Sequence, residues 1–121
     1  MSHTATVKVS FENREILKQV CTRLGIKFTE GQHIVNLYSE KISTNFSIQL
    51  PGWKFPVAIC GDELKYDHYN GVWGSLSELE RLQNQYCRDI AIQQAQAAGF
   101  GINESVDESG DITLELVDYN S

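Results

Sequence analysis

The chain has little from which a covalent or metal-linked scaffold could be built. Its three cysteines, Cys21, Cys60 and Cys87, are odd in number and far apart, and no C-x-x-C occurs. That spacing excludes a disulfide framework and a zinc ribbon. Long apolar runs are also missing: none approaches the ~20 residues that cross a bilayer, so no membrane partner is expected. The opening Met1-Ser2-His3-Thr4 lacks the basic and apolar stretches of a signal peptide. A cytoplasmic protein with reduced thiols is therefore expected.

Positive charge is scarce. Ten Lys and Arg face sixteen Asp and Glu, for a net charge of −6, and the basic residues never form a run. A large phosphate-binding footprint is thereby disfavoured, and no nucleic-acid partner is expected. His3, His33 and His68 are the only histidines, so no H-E-x-x-H exists. A Gly-rich phosphate loop and a G-x-S-x-G are absent too. No cofactor, metal ligand or catalytic residue is assigned.

What is present reads as alternating strands and two helices. Thr4–Phe11 is strand-like, with Val7, Val9 and Phe11 alternating with Lys8 and Ser10. Asn13 is an N-cap for a helix over Arg14–Leu24, and Gly25 stops it. Ile16, Leu17, Val20, Cys21 and Leu24 share one face of that helix, which makes Cys21 core. Ile26–Phe28 and His33–Tyr38 read as two short strands about Glu30-Gly31. Residues 39–45, SEKISTN, read as a polar loop, and Phe46–Leu50 as a strand that Pro51-Gly52 ends. Ser75-Leu76-Ser77-Glu78 fits a capping box. The helix it opens runs to Ala98, with a stripe of Leu79, Leu82, Tyr86 and Ile90 that Cys87 widens. Phe100, Ile102, Ile112, Leu114 and Leu116 form a final hairpin about residues 107–111, DESGD.

Residues 60–68, CGDELKYDH, gather a thiol, three carboxylates and an imidazole. Gly61-Asp62 is a two-residue hairpin turn. It pairs Cys60 with Glu63, Ile59 with Leu64 and Ala58 with Lys65, then Val57 with Tyr66 and Phe55 with His68. Alternation puts Phe55, Val57, Ile59, Leu64, Tyr66 and His68 on one face, and Ala58, Cys60, Glu63, Lys65 and Asp67 on a mainly polar other face. The sheet then separates His68 from Cys60 and Asp67, against a metal site. Cys60, near a turn on the polar face, is expected to react before the two helix cysteines.

Trp53, Tyr66, Tyr69 and Trp73 cluster around this hairpin. Pro51-Gly52 and Asn70-Gly71 put aromatics beside turns, where side chains are often exposed. Trp53, Tyr69 and Trp73, with His3 and Asp67, are the predicted binding residues, on the ground that Trp and Tyr make good interface anchors. The competing reading is that the tryptophans are core. The carboxylates of the last hairpin read as a solvated edge, with an acidic docking patch as the alternative.

Several of these stretches together resemble a family. MSHTATVKV followed by a helix ending in LGI, then CGDELKYD, QYCRDIAIQQAQAAGF and DESGDITLEL, are similar in order to segments of the hypothetical chloroplast reading frame thirty-five family, a domain of unknown function. Cys60 stands where that family has Asn, and the C-terminal end here is acidic. The resemblance implies a cyanobacterial, plastid or cyanophage setting, in the cytoplasm or the plastid stroma, and carries over no catalytic or ligand residue.

The resulting expectation is a single α+β domain over residues 1–121. A largely antiparallel sheet of about six or seven strands carries two helices on one face. The expected function is a non-catalytic accessory or binding protein with an unidentified protein partner; a homodimer is left open. The alternative is a small enzyme whose site draws on His3, Cys60, Asp67 and His68.

Overall fold

The computed structural model describes residues 4–8, 11–69 and 71–118. The architecture is α+β. In chain order it has β1 (Thr4–Lys8), α1 (Arg14–Leu24), β2 (Lys27–Asn36), β3 (Lys41–Gln49), β4 (Val57–Cys60), β5 (Glu63–Asp67), α2 (Leu76–Ala97), β6 (Phe100–Val106) and β7 (Ile112–Asp118). The strands form two antiparallel sheets rather than one: β1-β5-β4-β3-β2 and β6-β7. The chain divides into two compact units, residues 1–82 and 83–121, with the division falling inside α2.

In the first unit, α1 begins where Asn13 accepts a hydrogen bond from the Ile16 amide at 3.0 Å. It ends at Gly25, whose φ of 72° admits the left-handed turn. Its buried residues are Ile16, Leu17, Val20 and Cys21, and it packs on β2. The β4–β5 register follows the sequence reading, with Ala58 opposite Lys65, Ile59 opposite Leu64 and Cys60 opposite Glu63. Gly61 supplies the positive φ of the turn, at 63°.

Three expectations are corrected here. β2 is one continuous strand; Glu30-Gly31 forms a bulge within it, where the register against β3 shifts between Glu30 and His33 and Gly31 takes φ 100°. The polar stretch 39–45 is not mainly loop, because β3 begins at Lys41. Ile42 and Thr44 are buried there while Lys41, Ser43 and Asn45 are exposed, an alternation that small polar side chains conceal. Thr44 enters the core because its hydroxyl donates to the carbonyl of Ile59. Finally, the second face of β4 is not solvated. Ala58 is fully buried in a cluster with Val35, Leu37 and Ile42, and Phe55 and Cys60 pack against it. Phe55 thus belongs with Ala58, not with Ile59 as expected, since it lies outside the regular strand.

Leu79 and Leu82 of α2 are buried in the first unit. Ser75 accepts from the Ser77 amide at 3.3 Å as a cap, while Glu78 turns to Arg81 at 3.7 Å. In the second unit Tyr86, Asp89 and Ala95 are buried. Cys87 is exposed, contrary to expectation, because the stripe proceeds from Tyr86 to Asp89. Arg88 holds Asp89 at 2.7 Å and grips Glu104 of β6 through two nitrogens, at 2.5 and 2.7 Å.

Candidate functional site

Three connections of the first unit converge on Trp73. The turn between β2 and β3 brings Tyr38, and the segment between β3 and β4 brings Lys54 and Phe55. The loop after β5 brings Tyr69 and Trp73 itself. The Trp73 ring centroid lies 4.9 Å from Tyr38, 4.8 Å from Tyr69 and 5.3 Å from Phe55, the last edge-on at 74°. Lys54 holds its ammonium 5.1 Å from the same ring, a cation–π contact worth about 0.5–1 kcal/mol when exposed.

Backbone hydrogen bonds hold this arrangement. The β2–β3 turn closes with the Leu37 amide donating to Glu40 at 2.8 Å. The next amide, of Tyr38, donates to Asp67 Oδ2 at 2.6 Å. In the 68–73 loop, the carbonyl of His68 accepts from Gly71 at 3.1 Å and from Trp73 at 2.9 Å. The Trp73 carbonyl in turn accepts from Lys54 at 2.7 Å. Tyr69 stands at φ 47°, the left-handed region that side chains other than those of Gly, Asn and Asp seldom occupy. Such strain costs of the order of 1–3 kcal/mol and gathers at functional sites.

The surface that results is aromatic and open. Tyr38 is 60% exposed, Tyr69 40% and Val72 71%. Trp73 between them is half-buried, and Phe55 against it packs on the cluster of Val35, Leu37, Ile42 and Ala58. Large rings so disposed present area at little entropic cost.

The predicted binding residues separate. Tyr69 and Trp73 come together as expected. Trp53 is a correction: it is buried, its ring lies edge-on to Tyr66 at 5.5 Å, and its indole N–H donates to the carbonyl of Ser75 at 3.0 Å. The packing of the first unit claims it, although it too sits beside a turn. Asp67 is fully buried, so it positions the Tyr38 turn and does not offer a surface contact; its Oδ1 has no hydrogen-bond partner among the described residues. His3 lies outside the described residues. Sequence reasoning missed Tyr38, Lys54 and Phe55 as members of the site. Tyr38 carried one signal, a large aromatic closing an apolar alternation just before a polar turn.

The residues of the enzymatic alternative do not converge among the described positions. His68 lies against Tyr66 at 5.6 Å, and its Nδ1 accepts from the Gly71 amide at 3.2 Å. Cys60 packs against the cluster of Val35, Leu37, Ile42 and Ala58. No group of three or more His, Cys, Asp and Glu among the described residues could hold a metal ion. Among the described residues no helix is long and apolar enough to cross a membrane. Searched against known proteins, the chain matches no family model, no curated protein and no solved structure.

Proposed function

We propose that the chain is a non-catalytic binding protein that engages another protein through the aromatic platform of Tyr38, Tyr69 and Trp73. The observation that carries this reading is the platform itself: two exposed tyrosines flank one tryptophan, and one of them is kept at a strained backbone angle. A purely structural ring cluster would bury these rings. Anchoring aromatics at an interface centre are worth about 2 kcal/mol or more each on truncation. The resemblance noted above supports a cyanobacterial, plastid or phage setting for that partner.

The test is capture from a lysate of the cell that makes the protein, comparing the parent with Tyr38→Ala/Tyr69→Ala. Both side chains are exposed, so the variant should fold. The reading expects a protein retained by the parent and lost by about tenfold or more in the variant. Equal retention by both would contradict it.

A further inference from the structure

The acidity of the chain belongs entirely to its second unit. Residues 1–82 hold nine of the ten Lys and Arg and nine of the sixteen Asp and Glu, and so are balanced. Residues 83–121 hold one cation, Arg88, against seven carboxylates, and carry the whole net charge of −6. That cation is already bound to Glu104 and Asp89.

The same unit has an apolar face that α2 covers only in part, through Arg88 on Glu104. In the β6–β7 register, Ile102 pairs with Leu116, Glu104 with Leu114 and Val106 with Ile112. With Phe100 these side chains share one face, and Asn103, Ser105, Thr113 and Glu115 share the other. An apolar face on a two-stranded sheet needs cover, because such a hairpin is marginal alone. Yet Val106 is 61% and Leu116 56% exposed, and Phe100, Ile102, Ile112 and Leu114 are only half-buried. A groove of about 350 Å³ runs along this face, lined by Asn84, Cys87, Arg88, Asp111, Ile112 and Leu114. At the turn end, Val106 leads directly into Asp107, Glu108 and Asp111.

We infer that this face is a second docking surface, for a basic amphipathic segment of another protein. Its apolar side chains lie along Val106, Ile112 and Leu116, and its Lys or Arg residues meet Glu108 and Asp111. Charge selects this occupant. A second copy of the chain would set one acidic unit, of net charge −6, against another, which like-charge juxtaposition disfavours. A basic segment instead gains from both the apolar area and the field. The inference is independent of the aromatic platform.

The test uses synthetic peptides and the full chain. One peptide carries Leu on one helical face and Lys on the other. A second replaces each Lys with Glu, and a third replaces each Leu with Ser. Binding is read by anisotropy of the labelled peptide, and by a dye on Cys87 in the groove of a Cys60→Ser background. The Leu/Lys peptide should bind, shift the dye signal, and bind the Tyr38→Ala/Tyr69→Ala variant equally well. Val106→Ser/Leu116→Ser, which alters exposed positions and keeps every charge, should weaken binding by about tenfold or more. Glu108→Gln/Asp111→Asn should weaken it and reduce its salt dependence. Equal binding of the Ser/Lys peptide, or undiminished binding by Val106→Ser/Leu116→Ser, would reduce the effect to charge alone and overturn the inference. So would a stable homodimer in sedimentation that Leu116→Ser dissolves.

Discussion

The ring of Trp53 occupies the space into which a side chain at Gly74 would project: a Cβ there would lie 2.6 Å from Cε2 of the indole. The neighbouring Ser75 carbonyl accepts the indole N–H. Ring and backbone therefore fit as one unit, and the glycine is required by the ring rather than by its own backbone angle. Gly74→Ala should destabilise the fold by about 1–3 kcal/mol through overpacking. Trp53→Ala should cost about 3–5 kcal/mol. Thermal unfolding measures both; an unchanged midpoint in Gly74→Ala would show that the ring is not held there.

Asp67 is a buried carboxylate whose recognised task is to accept the Tyr38 amide. Asp67→Asn keeps an acceptor oxygen and removes a buried charge, so stability should be unchanged or higher. Asp67→Ala leaves the Tyr38 N–H unmatched and should cost about 1–3 kcal/mol. Urea titration of the two variants distinguishes them. A large loss in Asp67→Asn would mean that the charge itself is needed.

Tyr69 places function and stability in opposition. Asn tolerates the left-handed region better than Tyr does, but it forfeits the ring contact with Trp73, worth about 0.5–1.5 kcal/mol. These terms nearly cancel. Tyr69→Asn should therefore unfold within about 1 kcal/mol of the parent while capturing the partner more weakly. Undiminished capture would remove Tyr69 from the contact surface.

The cysteines should label in the order Cys87, Cys60, Cys21, following exposed, partly buried and buried positions. Mass spectrometry after limited alkylation reads that order. Burial pushes the Cys21 thiol up to about 11, whereas the unfolded chain ionises it near its ordinary value of ~8.5. The folded state thus keeps a proton that the unfolded state loses. This contribution is complete below about pH 8.5 and disappears as pH rises through about 11, roughly 3–4 kcal/mol in all. Buried Tyr66, also pushed upward, adds a slope of the same sign, so the comparison is with Cys21→Ala. That variant should lose stability less steeply across the window; parallel curves would contradict the burial of Cys21.

Local chemistry was legible in the sequence where one residue dictates a backbone angle. Asn13 and Gly25 bound α1 as read, and Gly61 sets the β4–β5 register as read. Legibility failed where burial comes from afar. Gly31 looks the same in a bulge as in a turn, so β2 reads as two strands. Ile42 is buried in a cluster with Val35, Leu37 and Ala58, and Thr44 by its hydrogen bond to the Ile59 carbonyl, and local alternation reveals neither. Trp53 and Trp73 both sit beside glycine turns, yet one is core and the other a surface hub, because only the fold sets one ring on Tyr66 and the other on Phe55. Tyr38 joins the platform across about thirty residues of chain through the hydrogen bond its amide N–H donates to Asp67, a pairing without a sequence motif.

The central claim is that the aromatic platform is the contact surface for a protein partner. Site-specific photocrosslinking tests it most directly. A benzophenone amino acid is placed at Tyr38, at Val72 and, as a control outside the platform, at exposed Arg23 of α1, and the chain is irradiated in a lysate of its own cell. The account predicts one adduct of the same mass from positions 38 and 72, absent from position 23 and competed by unlabelled parent protein. An adduct from position 23 with none from 38 or 72 would contradict it.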